Sequence, residues 1–183
     1  MRPKLRRSPA GEPPLSEAAF DALYRDCVGD VHGYALSLLG DRPSAEDVTA
    51  QAFERLYRLR SRLDEARGTP RAWLFVIARN AALDELRRRR RQPQLVAEPP
   101  ALSDDEIQEP GELFARNETI RIALCKLTLR EREIVLLKFH GQLTNPELAR
   151  VLGISQSNAG TRLHRALMHL REHYREIDRL EVA

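Results

Sequence analysis

Cysteine, glycine and aromatic residues are scarce in this chain of 183 residues, which contains 2 Cys, 9 Gly and 5% aromatic side chains. Cys27 and Cys125 lie far apart and form no CxxC pair, so neither a zinc knuckle nor a disulfide framework is indicated. No apolar run reaches the roughly 20 residues of a membrane-spanning helix. Prolines rather than an apolar segment follow the basic N-terminus, which argues against a signal peptide. We therefore expect a soluble, cytoplasmic protein without membrane insertion.

Signatures of catalysis and of cofactor binding are also missing. The sequence contains no P-loop, no Gly-rich dinucleotide fingerprint and no Ser–His–Asp arrangement. His169 and His173 are four residues apart, but Leu170 stands where a zincin has Glu, so we interpret both as part of a polar helix face. We expect no enzymatic activity, no cofactor and no metal site.

The abundant residues favour an all-α fold. Leu, Ala, Arg and Glu predominate, and 42% hydrophobic residues suffice for packed cores. Residues 1–14 have no periodicity and are expected to form a disordered tail. A helical pattern then covers residues 15–91, with Gly40 ending a first helix, Ser44 capping a second and a third beginning near Arg71. The third helix is apolar almost all round in its first half, which predicts the most buried helix of this domain.

Residues 92–112 differ sharply from both flanks, because they hold six acids and four prolines but no Lys or Arg. This composition predicts an extended acidic linker. Stretched at about 3.3–3.6 Å per residue, the linker reaches roughly 70 Å. That length could separate two DNA-reading modules by about two duplex turns. Helical periodicity returns over residues 113–180, so we predict two small helical domains joined by the linker.

The second domain contains the most informative pattern. Thr128 with Glu131 and Thr144 with Glu147 both match a capping box, Gly153 provides a tight turn, and Ser155 caps a longer helix. Two helices that meet across a short Gly turn predict a helix-turn-helix, whose second helix enters the major groove. The alternative is a plain helical hairpin with a solvated face. The candidate DNA contacts, which we call the recognition face, are Gln156, Ser157, Asn158, Thr161, Arg162, His164 and Arg165.

A second polar surface is predicted at the end of the third helix. Its side chains recur at helical spacing on one face, which we call the basic helix end: Asn80, Asp84, Arg87, Arg88 and Arg91. A run of arginines could also be a solvated terminus favoured by the helix dipole. Paired with a separate helix-turn-helix, it is better interpreted as another nucleic-acid contact. Trp73, on the same helix, is interpreted as a core residue rather than a base-stacking platform.

Two blocks of sequence resemble a known family. SAEDVTAQAFERLYR (Ser44–Arg58) and PRAWLFVIARNAALDELRRRRR (Pro70–Arg91) resemble region two of extracytoplasmic-function sigma factors. LTLREREIVLLKFHGQLTNPELARVLGIS and TRLHRALMHLRE, between Leu127 and Glu172, resemble their region four. The order of the blocks, their spacing and the missing middle domain also match. The resemblance implies a promoter-specificity subunit of RNA polymerase.

The resemblance also implies roles for individual residues. Region two would bind the clamp of core RNA polymerase through the second helix, with candidates Asp47, Gln51, Phe53 and Glu54. It would open promoter DNA and read the −10 element as a single strand, with candidates Arg71, Asn80, Asp84, Arg87 and Arg88. Region four would read the −35 duplex through the recognition face and touch the polymerase flap. An anti-sigma factor is a further expected partner.

Two positions depart from the family pattern, and two other functions remain open. Gln51 stands where the family commonly has an acid, and Gly160 where the recognition helix commonly has Lys or Arg. A stand-alone repressor or activator would explain the helix-turn-helix but not the basic helix end or the acidic linker. A helical enzyme would need a site that the sequence does not show.

Overall fold

The computed structural model describes residues 15–64, 68–91 and 118–181, and all its regular elements in these ranges are helical. This confirms the expected all-α class. The predicted tail (1–14), the linker (92–112) and residues 113–117 lie outside the described residues. No helix in the three ranges has both the length and the apolarity needed to cross a bilayer. The helices are α1 (Glu17–Leu39), α2 (Arg42–Leu59), α3 (Pro70–Arg91), α4 (Glu118–Lys126), α5 (Leu129–Phe139), α6 (Asn145–Leu152) and α7 (Gln156–Glu181), with a 3₁₀ turn at Arg60–Arg62 after α2.

Helices α1, α2 and α3 pack on one another, with α2 against both of the others and the first half of α3 buried. The side chains of Leu74, Phe75 and Ala78 in its first half have no solvent exposure. Gly40 ends α1 with a φ of 70°, a left-handed conformation that glycine adopts without a steric penalty.

The start of α2 corrects one expectation. Asp41, not Ser44, caps this helix, and its Oδ2 accepts the Ser44 N–H at 3.1 Å. Pro43 is the reason that the helix can begin so early. The N–H groups of the first helical turn have no intrahelical partner, so the N–H that proline lacks is not missed there. A hydrogen bond from the Ser44 side chain is the main cause of the lowered pKa of Asp41, and the backbone N–H bond lowers it further.

Helices α4 to α7 form a second group, in which α7 packs against the other three. Thr128 and Glu131 form the predicted capping box at the start of α5. At α6 the Glu147 carboxylate accepts from the Thr144 N–H at 2.9 Å and from its hydroxyl at 2.7 Å. Gly153 ends α6 with a φ of 66°. Both predicted capping boxes and the glycine turn are therefore confirmed.

The two groups of helices also contact each other. Helix α1 packs against α5, and α3 packs against α6. Buried apolar side chains from both groups belong to one continuous cluster. At this junction His140 is almost fully buried, and burial lowers its pKa to about 4. The ring is therefore neutral at pH 7.

One arginine of the Arg87–Arg91 run has a structural role that the sequence did not reveal. Arg89 donates to the Leu39 carbonyl at 3.0 Å and to Asp41 Oδ2 at 2.7 Å, and its Nε donates to Glu85 Oε1 at 2.9 Å. These contacts fasten the end of α3 to the turn between α1 and α2.

We expect Arg89→Ala to destabilise the N-terminal helices by roughly 1.5–3 kcal/mol, the range for hydrogen bonds to charged groups. The exposed neighbour Arg90 provides the control, and Arg90→Ala should leave the melting temperature within a degree or so. Thermal unfolding followed by circular dichroism measures both. Equal melting temperatures for the two variants would contradict the assigned role of Arg89.

Candidate nucleic-acid interface

The helix-turn-helix predicted from the sequence is present in α6 and α7. The Ile154 N–H reaches back to the Ala149 carbonyl at 2.9 Å, which closes the turn after Gly153. Ser155 Oγ accepts the Asn158 N–H at 3.2 Å and so caps α7, as expected. Leu148 and Ala159 are fully buried between the helices. The N-terminal half of α7 is therefore held rigidly against α6.

The recognition face lies on the outer side of α7. All seven of its side chains are exposed, whereas Ala159, Leu163 and Ala166 point into the core. Arg162 and Arg165 supply its positive charge, and Gln156 and Asn158 supply amides near the helix N-terminus. This combination is suited to reading base edges and holding phosphates.

The basic helix end forms a shallow groove of about 520 Å³, lined by Asp84, Arg87, Arg88 and Arg91. Arg87 pairs with Asp84 at 2.7 Å, and Arg88 pairs with Glu85 at 2.7 Å. The hydrogen bonds from Arg88 are the first cause of the lowered pKa of Glu85. Both arginine side chains remain 65% exposed, and pairs of this kind contribute little stability. The arginines can therefore exchange these partners for phosphates.

Comparison with known proteins matches both groups of helices to family models. Family models for sigma-70 region 2 and sigma-70 region 4 match residues 23–92 and 118–170. The chain is 30% identical over 164 residues to the ECF RNA polymerase sigma factor SigL of Mycobacterium tuberculosis, covering 88% of this chain and 92% of SigL. The chain belongs to the ECF RNA polymerase sigma factor family.

Other relatives extend this result. SigM of Bacillus subtilis, also an ECF sigma factor, is 27% identical over 158 residues, covering 84% of this chain and 94% of SigM. The fold is similar to RpoE from Bartonella quintana in complex with the anti-sigma factor NepR, with a TM-score of 0.70, 21% identity, and coverage of 85% and 96% of the two chains. It also resembles CnrH in complex with the cytosolic domain of CnrY, with a TM-score of 0.61, 25% identity, and coverage of 86% and 88%.

The structure separates the −10 candidates of this sigma factor into two groups. Asn80, Asp84, Arg87 and Arg88 are exposed on α3. Arg71 is instead half-buried, pairs with Asp30 and donates to main-chain carbonyls of the C-terminal group. In this conformation Arg71 is not available to DNA. Its partners in the C-terminal group are about 70 residues away in the sequence, so no local pattern could have identified them.

The polymerase candidates on α2 divide in a similar way. Asp47, Gln51 and Glu54 are exposed, and their spacing of four and three places them on one side of the helix. Phe53 is only 4% exposed, and its ring packs edge-on against Tyr24 with centroids 4.8 Å apart. We therefore correct the expectation for Phe53: its ring supports α2 from inside and is not part of the exposed surface.

Two residues outside the recognition face and the basic helix end have simple placements. His169 Nδ1 lies 2.5 Å from Glu131 Oε1, which joins α7 to the cap of α5. Trp73 is partly buried and packs against the core, in agreement with its interpretation as a core residue.

We expect Arg165→Ala to reduce transcription from −35-dependent promoters. Losing a base contact by arginine should weaken promoter binding by roughly 1–3 kcal/mol. The circular dichroism spectrum and melting temperature of the variant should stay near those of the original chain, because the side chain is exposed.

The matched variant is Leu163→Asp, which buries an unpaired charge at a position only 8% exposed and should unfold the C-terminal helices. If Arg165→Ala melts these helices and leaves promoter choice intact, the wrong face of α7 has been assigned to DNA.

Proposed function

We propose that this sigma factor binds core RNA polymerase and directs it to promoters that carry a −35 duplex element and a −10 element read as a single strand. The observation that carries the proposal is the presence of two exposed, arginine-bearing surfaces on one chain, the basic helix end of α3 and the recognition face of α7. Residues 15–91 and 113–180 act as the two functional units, joined by the linker 92–112. The chain has no catalysis of its own and works in the cytoplasm, where the polymerase is.

The recognition face of α7 reads the −35 element in the major groove. A helix of this diameter fits that groove, and the rigid turn at Gly153 fixes its angle to α6. Arg162 and Arg165 are the principal candidates for contacts to guanine edges or phosphates. Gln156 and Asn158 are suited to adenine, because an amide both donates and accepts.

The basic helix end reads the −10 element. An open groove lined by arginines attracts a strand backbone electrostatically. Asn80 lies about two turns before the arginines on the same helix, where its amide can pair with an unstacked base. Promoter opening therefore uses the binding energy of a single strand at α3, after α7 has located the duplex.

Core polymerase binds the exposed side of α2 through its clamp. Asp47, Gln51 and Glu54 form this surface, while Phe53 maintains the shape of the helix from below. The C-terminal helices contact the polymerase flap. Gln51 makes the α2 surface less acidic than the family pattern, so the clamp contact at that position is a neutral hydrogen bond.

An anti-sigma factor regulates the chain. Two structural relatives, RpoE and CnrH, were solved in complex with NepR and with the cytosolic domain of CnrY, and NepR is described as an anti-sigma factor. The alternative of a stand-alone helix-turn-helix regulator is not favoured, because it leaves the groove at the end of α3 without a function.

Run-off transcription with reconstituted polymerase tests the proposal. We expect specific transcripts only when both core enzyme and this chain are present, from promoter fragments selected by the reconstituted holoenzyme. The chain alone should bind the same duplex weakly and lose that binding as salt rises, because phosphate contacts dominate. Nanomolar, sequence-specific binding without polymerase at physiological salt, and no polymerase-dependent transcripts, would favour the stand-alone regulator.

Gly160 gives a second test of the −35 surface. It lies within α7 among the recognition face, and a Cβ at this position would meet no protein atom within 4 Å. We expect Gly160→Arg to add one phosphate contact and so to strengthen −35 binding. The slope of the logarithm of the binding constant against the logarithm of the salt concentration should steepen by about one.

Gly160→Ala is the control, since it should raise stability by roughly 0.5–1 kcal/mol through helix propensity and leave the salt dependence unchanged. Filter binding at several salt concentrations measures both variants. An unchanged salt dependence in Gly160→Arg would place this position away from the DNA backbone.

A further inference from the structure

Four aromatic rings fill the space between α1 and α2, and we call them the aromatic row. The Phe20 ring meets the rings of Phe53 and Tyr57 edge-on, with centroids 6.3 Å and 5.1 Å apart. At the other end of the row the Tyr24 ring meets Phe53 edge-on at 4.8 Å. Edge-to-face pairs at such distances attract each other, so the rings hold the two helices together and fix one another in place.

Most of the aromatic row is already in contact with other groups of the chain. The Tyr57 hydroxyl donates to Glu17 Oε1 at 2.8 Å, and the Arg60 guanidinium lies over the Tyr57 ring at 3.8 Å from its centroid. Phe53 is only 4% exposed, and Phe20 packs against the core. These three rings are therefore explained by the fold itself.

Tyr24 differs from the other members of the row, because it is 44% exposed. Within the described residues of α1, α2 and α3 it is the one large hydrophobic side chain that is exposed. Its contact with Phe53 holds the ring in one position. A partner that covers a ring held in this way loses little side-chain entropy on binding. Tyr24 is therefore well suited to be part of an interface.

Tyr24 borders the side of α2 that carries the proposed polymerase contacts. Ala50, Phe53, Glu54 and Tyr57 recur at spacings of three and four, which places them on the side of α2 next to α1. Ala50 and Glu54 are exposed there, and Tyr24 packs on Phe53 between them in the sequence of α2. The exposed ring is thus continuous with the surface that begins at Glu54.

The exposed surface of α2 lacks an apolar anchor of its own. Asp47, Gln51 and Glu54 are all polar, whereas protein interfaces draw most of their binding free energy from a few buried aromatic, arginine or aliphatic anchors surrounded by polar contacts. The sequence suggested Phe53 for such a role, but Phe53 is buried. Tyr24 lies directly against Phe53 and presents an aromatic ring to the solvent at that place.

The charges around Tyr24 indicate the chemistry of the partner. Asp21 is exposed one turn before Tyr24 on α1, and Asp47 and Glu54 are exposed on α2. Glu54 pairs with Arg58 at 2.6 Å, but both side chains are more than half exposed, so Glu54 can exchange this partner at little cost. A surface with these acids around one ring fits a partner that combines an apolar side chain with Lys or Arg.

We propose that Tyr24 is the apolar anchor of the interface with core polymerase. A helix of the clamp that carries an apolar side chain flanked by Lys or Arg covers the Tyr24 ring and the adjacent edge of α2, so the interface extends from α2 onto α1. The inference rests on the proposed function, because it adds a residue and a second helix to the polymerase-binding surface.

The affinity of the full chain for core polymerase tests the anchor, with a dye attached to the exposed Cys125 of α4. We expect Tyr24→Ser to weaken binding on the order of tenfold, because the buried contact of the ring is lost. Tyr24→Phe keeps the ring and should bind like the original chain. Ala22→Ser is the matched control, since Ala22 is exposed on another side of α1 and should not affect binding.

A packing variant separates the loss of a contact from the loss of stability. Phe20→Leu removes a ring from the aromatic row but leaves Tyr24 exposed, so it should lower the melting temperature and preserve the affinity for core polymerase. Both variants are compared at a temperature at which circular dichroism shows them folded. An equal loss of affinity in Phe20→Leu and Tyr24→Ser, or an unchanged affinity in Tyr24→Ser, would overturn the anchor.

Photo-crosslinking identifies what covers the ring. A benzophenone-bearing phenylalanine analogue in place of Tyr24 should crosslink to the polymerase subunit that carries the clamp, and the same analogue in place of Ala22 should not. Crosslinks between two copies of this chain would instead assign the ring to self-association and overturn the proposal. If the original chain does not bind core polymerase, the proposed function fails as well. If it binds and the Tyr24 variants bind equally well, only the anchor is wrong.

Discussion

The guanidinium of Arg71 is the polar contact on which the junction between the two described groups of helices depends. It lies at the start of α3, where the first group of helices meets the end of α5, and it binds groups from both sides. Asp30 balances its charge, and the two carbonyls at the end of α5 take up its remaining donors. Without it, two carbonyls in a largely buried position would lose their donor, which is costly. The path of the chain between α5 and α6 is therefore set by a residue about 70 positions earlier.

Much of the architecture could be predicted from local patterns. Capping boxes at Thr128 and Thr144, and the glycines that end α1 and α6, are short-range signals whose physics is complete within a few residues. The recognition face could be predicted from the helical period, because buried apolar residues recur every three or four positions along α7 and leave the other side exposed. The burial of the first half of α3 could be predicted from its composition, because that half is apolar almost all round.

The placements of Arg71, Arg89 and Phe53 that the sequence did not reveal share a cause, which is that they depend on partners distant in the sequence. Arg89 belongs to a run of five arginines and looks equivalent to its neighbours, but only its position opposite Asp41 turns it inward. In the sequence alone, Arg71 resembles a solvated cation next to a turn, and Phe53 resembles an exposed contact residue near two acids. In each case the helix face depends on how α1, α2 and α3 pack, and a linear pattern contains too little of that information.

The close approach of Gly33 to His140 limits which residues fit where α1 meets the end of α5. A Cβ at this position would lie 2.8 Å from Cε1 and 2.9 Å from Nδ1 of the His140 ring, which is itself almost fully buried. Any side chain at position 33 would therefore push α5 away from α1. The combination of Gly33 with His140 therefore lets the two halves of this chain fit this closely. Relatives with a larger residue at the first position would need another spacing between their halves, and this could be recognised from their sequences alone.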